Sequence, residues 1–285
     1  MERITRSWRL ITASWSVLRQ DRELILLPII SAASAVALAA IVGLGLIRQD
    51  ADRYLATGEY ASFGVGSWII IALLTYALSF ITIFFNVAVM CAADDRMRGG
   101  DPTLGSAIRD ASEHVRAIAM WSLVSVLVQT VVRLIQERGG IVGKIAGTIV
   151  GVGWALATYL ILPVLIFEGL DVRAALTRSK DLFRRTWGEM VSGQLGMALL
   201  GFVGFLLIVP VLLIVGGGGQ PEMVAAAIVI AVVWAVVVSA VLSALNAVFR
   251  VALYRYATEG ETPEAFGHID FATLFPPKKS RRLGS

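Results

Sequence analysis

A chain of 285 residues with 57% hydrophobic and only 16% charged residues, and mean hydropathy +0.76, has more apolar surface than a soluble core can hide. The bilayer must be its solvent, and at roughly 20 residues per crossing the length admits about six helices and excludes a sizeable soluble domain. The net charge of +4 does not point to nucleic acid, because the basic residues flank apolar segments instead of forming one basic face.

Residues 2–20 form the first predicted element. Ile4, Trp8, Ile11, Trp15 and Leu18 recur at helical spacing, with Arg3, Arg6 and Arg19 off that stripe. Two readings stay open for this helix: lying in the membrane interface, or packing on the protein's own body. The first spanning helix is expected over 24–47, with Pro28 in its first turn. A cleaved leader competes with it, but the long apolar run and the charged lead favour a retained helix. A polar loop follows, then a second span over 67–93. Asp101-Pro102 reads as an N-cap and first helical position, opening an interfacial helix over 102–115. The third span, 117–132, is bracketed by Arg116 and Arg133, which are expected to snorkel towards opposite interfaces. The fourth, 145–167, is preceded by Gly139-Gly140 and carries Gly143, Gly147 and Gly151 from its entry onwards, a spacing of four that puts small residues on one face and favours helix packing. A second interfacial helix is expected over 172–188, a fifth span over 190–215 with a kink at Pro210, and a sixth over 223–249. Residues 257–285 read as a cytoplasmic tail with a basic, lipid-facing end. The four-glycine run Gly216–Gly219 lacks the Lys-Ser or Lys-Thr that a phosphate loop needs.

With six spans, twenty lysines and arginines fall on one side and five on the other. That bias predicts a multi-pass protein of a prokaryotic cytoplasmic (inner) membrane with both termini cytoplasmic. The opening stretch also returns as an internal repeat: Thr5, Arg6, Ser7, Leu10 and Trp15 align with Thr177, Arg178, Ser179, Leu182 and Trp187. A fainter copy begins near Ser106, and Asn86 and Asn246 each lie at the same distance before a glycine followed by an acidic residue. The expected fold is an all-α integral membrane protein: six transmembrane helices in three hairpins, with cytoplasmic amphipathic interfacial helices between them. Trp8, Trp15, Trp187 and Tyr254 are the expected interface anchors.

Arg3-Ile4-Thr5-Arg6-Ser7-Trp8-Arg9-Leu10, Ser14-Trp15-Ser16-Val17-Leu18-Arg19 and Leu24-Ile25-Leu26-Leu27-Pro28 together resemble a prokaryotic six-helix membrane family known only as a domain of unknown function. The Leu162-Pro163 to Trp187 stretch is more loosely similar to the membrane domain attached to some glycerophosphodiester phosphodiesterases. Neither resemblance implies an activity or supplies functional residues.

No catalytic, cofactor or metal site is expected. His114, His268 and Cys91 lack ligand-like spacing, and neither histidine sits beside a nucleophile. The acidic pairs Asp94-Asp95 and Glu168/Asp171 read as helix ends that pair with Arg96, Arg98 or Arg173. The intramembrane polar residues are Asn86, Gln129, Gln194 and Asn246, each expected to make an interhelical hydrogen bond. The leading expectation is a non-enzymatic structural or interaction protein that packs with lipid, with itself as a homo-oligomer, or with another membrane protein. The alternative is a small-solute or ion transporter or channel.

Overall fold

The computed structural model describes residues 22–57, 64–216 and 220–259, and every regular element among them is helical. A 3-10 turn, Arg22–Ile25, leads into α1 (Leu26–Thr57), α2 (Val65–Met97), α3 (Leu104–Glu113), α4 (Val115–Arg138) and α5 (Gly140–Ala157). These are followed by α6 (Ile161–Phe167), α7 (Val172–Leu206), α8 (Val209–Gly216) and α9 (Pro221–Glu259). Six stretches are long and apolar enough to cross a membrane: Leu26–Asp52, Val65–Met97, Val115–Arg138, Gly140–Phe167, Gly193–Ile214 and Glu222–Glu259. The helix expected over 2–20, with Trp8 and Trp15, and the tail from residue 260 lie outside the described residues.

Several helices differ from the expected spans. α1 runs ten residues beyond Ile47, through Arg48, Asp50 and Asp52, since a helix outlasts its apolar stretch where nothing caps it. α4 continues past Val132 to Arg138, so Arg133 lies inside a helix instead of at its end. Gly140 then turns the chain with φ +56°, a conformation a side chain would resist, and starts α5 at once. The N-cap of α3 is Thr103, not Asp101: its hydroxyl accepts from the Ser106 N–H while the Ser106 hydroxyl accepts from the Thr103 N–H. Asp101 instead pairs with Arg96 at 2.7 Å.

The fourth span is broken where it was expected to be continuous. Between α5 and α6, Thr158, Tyr159 and Leu160 leave the helix. Pro163 lies four residues after Tyr159, so its ring crowds that carbonyl and it offers no N–H to it. At the break the Trp154 carbonyl accepts from the Thr158 hydroxyl at 2.8 Å and from the Thr158 N–H at 2.9 Å. A second proline, Pro210, stands four residues after Leu206, where α7 gives way to α8. The expected interfacial helix 172–188 and the fifth span are one helix, α7, bent at Thr186 (φ −117°, ψ 17°). The Thr186 hydroxyl donates to the Leu182 carbonyl at 3.0 Å, which loosens the ladder there.

Packing is mostly sequential: α1 lies on α2, α4 on α5, and α7 and α8 on α9, while α9 also crosses α1 and α2. The core is gathered at one end of the spans. It holds the end of α2 from Val87 to Ala93, the start of α4 at Ile118 and Trp121, and α6. The end of α9 from Ala244 to Tyr254 completes it. Away from that crowded end the helices carry exposed apolar side chains such as Ile41, Ile141 and Leu213. Close approach depends on glycine at two contacts. A Cβ on Gly193 would run into the fully buried Phe249 ring, and one on Gly143 would meet the Ile135 carbonyl oxygen.

Candidate functional site

A cleft of about 560 Å³ opens between α2, α4, α5 and α9, next to the crowded end. Its polar lining comes from Thr82 and Asn86 on α2; Ser125, Gln129, Arg133 and Gln136 on α4; Thr158 and Tyr159 at the helix break; and Arg250 on α9. Trp121, Val128, Val132, Trp154, Ile161 and Leu162 supply apolar walls, with the two indoles stacked at 5.9 Å between centroids. Trp121 and Gln136 both line it on one helix, so the cleft extends about 20 Å along α4 at 1.5 Å per residue. A second cavity, of about 420 Å³, lies between α1, α2 and α9 and is lined by Ser31, Ser239 and Ser243 among mostly small residues. Thr82 and Asn86 line both, so they form the wall between the two.

The break at Tyr159 lets its ring leave the helical path and serve as the floor of a polar cluster. Gln194 of α7 donates through Nε2 to the Tyr159 hydroxyl oxygen at 2.8 Å and to Asn246 Oδ1 at 3.2 Å. The Tyr159 hydroxyl donates in turn to Asn246 Oδ1 at 3.2 Å. Three helical segments are thereby tied together by neutral groups that satisfy one another. The Arg250 guanidinium lies over the Tyr159 ring, 4.7 Å from its centroid. Its Nε is buried without a hydrogen-bond partner, and so is Oδ1 of Asn86.

At the crowded end the charges are paired. Arg255 donates through Nε to Asp94 Oδ1 at 2.6 Å, with both side chains nearly buried, and Arg98 pairs with the other oxygen at 3.0 Å. Arg178 donates to both oxygens of Glu168 at 3.1 Å. The Tyr254 hydroxyl donates to Glu168 at 3.2 Å, and its ring packs on Phe167. Tyr254, expected at the interface, is buried among the described residues, with its hydroxyl on the Glu168 carboxylate. Arg173 is not the partner of this acidic pair, for Asp171 caps α7 by accepting from the Ala174 N–H at 2.8 Å. Trp187, just after the Thr186 bend, is exposed.

Of the polar residues singled out in the spans, Gln194 and Asn246 bond to each other, while Asn86 and Gln129 line the cleft without a hydrogen bond between helices. Gly143 and Gly147 face α4, where added Cβ atoms would meet the Ile135 carbonyl and the Gln136 side chain; Gly151 is in ordinary contact range of Val132. Sequence reasoning missed Tyr159 and Arg250. The usable signals were Pro163 four residues after the tyrosine, and the apolar run Val251–Leu253 that continues beyond an arginine read as a helix end. Among the described residues no group of three His, Cys, Asp or Glu could hold a metal ion.

Residues 65–264 match the model of a family described as a family of unknown function (DUF6159), and the chain belongs to that family. No curated protein matches the chain. No solved structure matches it either.

Proposed function

We propose that this member of a family of unknown function is a non-enzymatic carrier of a prokaryotic inner membrane, which takes a polar solute into the cleft beside Asn86 and Arg250. The observation that carries the reading is the pair of buried polar atoms without partners on residues lining one cleft. In hydrocarbon an unsatisfied polar group costs several kcal/mol, and a bundle selected only for packing has no reason to keep two of them on the walls of one cleft. The glycine face that favoured helix packing is occupied by α4 of the same chain, so it does not call for a partner helix. Lipid contact along the exposed apolar faces, and assembly with a second copy or another membrane protein, remain compatible with a carrier. The looser likeness to the phosphodiesterase membrane domain contributes a helical pattern and no activity.

In this reading the six spans form three hairpins, α1–α2, α4 with α5 and α6, and α7 and α8 with α9. The sequential packing supports that arrangement. α3 and the first part of α7 lie along the cytoplasmic interface, with Trp187 at headgroup level. The positive-inside count puts both termini and the crowded end on the cytoplasmic side. Asn86 and Asn246 stand at corresponding points of the first and third hairpins of the internal repeat; Asn86 lines the cleft, and Asn246 bonds to Tyr159 at its floor.

Cysteine accessibility tests the reading. Cys91 is the chain's one cysteine, so Cys91→Ala gives a clean background. Gln129→Cys in the cleft should react with water-soluble methanethiosulfonates in lipid nanodiscs, while Leu127→Cys, exposed outside the cleft lining, should not. Equal silence at both positions would show a dry seam and sink the carrier reading.

A further inference from the structure

We infer that the cleft is built for an anion, a phosphate or carboxylate group carried on a partly apolar body, and that Arg250 is its principal contact. The inference rests on the carrier reading and names the ligand class for it. Two arginines, Arg250 and Arg133, line the cleft, and no aspartate or glutamate does. The cations at the neighbouring crowded end have their carboxylates: five residues along the same helix Arg255 is paired with Asp94, and Arg178 is paired with Glu168. Arg250 has Tyr159, its ring face and its hydroxyl, and no carboxylate among the described residues, with Nε left unbonded. The Tyr159 oxygen and Asn246 Oδ1 are already occupied by Gln194 and by each other.

A guanidinium in the membrane interior needs a counter-charge, and its planar fork of donors matches an oxyanion with two oxygens. Side chains on helices lean towards the N-terminus. On antiparallel α4 and α9 that tilts Arg133 and Arg250 towards each other along the cleft. An anion entering from one end would pass from one guanidinium to the other. The stacked pair Trp121 and Trp154 and the branched apolar walls suit the rest of such a ligand. The volume is in the range of small-molecule sites. The oxyanion could be a phospholipid headgroup or a free solute, and the chemistry that holds it is the same.

The full chain in phosphatidylcholine nanodiscs, carrying Cys91→Ala and Gln129→Cys, separates the outcomes. The anionic sulfonatoethyl methanethiosulfonate should modify Gln129→Cys about tenfold faster than its cationic trimethylammonium counterpart, each rate being divided by that reagent's rate with a free thiol, as unpaired cations nearby require. Arg250→Gln should bring the ratio close to one, and Arg250→Lys should keep the preference. If Arg250→Gln does not fold, Arg133→Gln, on the exposed side of the cleft, should still reduce the ratio. Millimolar inorganic phosphate that slows modification relative to chloride at equal ionic strength assigns the site to a free anion. Slowing by phosphatidylglycerol in the disc assigns it to a headgroup. Rapid modification by both reagents at equal rates after that division, unchanged by Arg250→Gln or Arg133→Gln, overturns the anion site and leaves the carrier reading standing. No modification by either reagent overturns both.

Discussion

Two asparagines of similar sequence setting do opposite jobs, and the difference can be measured. Asn246 Oδ1 accepts from Tyr159 and Gln194 at 3.2 Å each, so Asn246→Leu strands two donors. The expected cost is about 1–3 kcal/mol, read as a lower melting temperature of the purified protein. Asn86 Oδ1 accepts nothing, so Asn86→Leu removes an existing penalty and should melt at the same or a higher temperature while weakening ligand capture. A large drop in melting temperature for Asn86→Leu would show the amide to be structural. Both residues were legible as polar groups within apolar runs. What the letters did not contain was which had partners, since that depends on how far each helix is rotated about its own axis.

At the scale of elements, two prolines, one threonine and one ion pair set the geometry. Pro163 breaks the fourth span at Tyr159, and the Thr186 hydroxyl bends α7. Both devices are local and readable in hindsight, but several residues in other spans could have made the same bends. The clamp between Asp94 on α2 and Arg255 on α9 joins residues 161 apart, and no local pattern announces it. Because both side chains are nearly buried, Arg255→Ala should cost up to about 3–5 kcal/mol by leaving Asp94 Oδ1 without its buried partner, with only the exposed Arg98 still on Oδ2. The paired change Asp94→Leu with Arg255→Met should recover most of that. Arg98→Ala, which removes the exposed partner, should cost under about 1 kcal/mol. Chemical unfolding in mixed micelles ranks the three, and an Arg98→Ala effect as large as Arg255→Ala would mean that the exposed arginine is the true clamp.

For the whole molecule, the decisive asymmetry is between a crowded, ion-paired end and an end whose helices carry exposed apolar side chains. If the basic bias sets orientation, the crowded end is cytoplasmic. Green fluorescent protein fused after Ser285 should then fluoresce, and alkaline phosphatase at the same point should be inactive. The reverse pattern would turn the molecule over and put the paired charges outside. With the expected orientation, the Asp94–Arg255 and Glu168–Arg178 pairs lie at the cytoplasmic end, next to the cleft, where a carrier would need contacts that can open and close.

Hydropathy along the chain determined the class of protein and the number of its spans, because the bilayer imposes a length of apolar residues that is visible in one dimension. It also marked the glycine face and the odd polar residues, since a small or polar side chain in an apolar run stands out wherever the helix goes. Only the tertiary structure decided that Gly143 and Gly147 serve the chain's own α4, that Tyr254 turns inward to Glu168, and that Arg250 is left without a carboxylate beside Tyr159. Each of these depends on which face of a helix meets which neighbour, and a bend of a few degrees at Pro163 or Thr186 would change the answer without altering the hydropathy of the sequence.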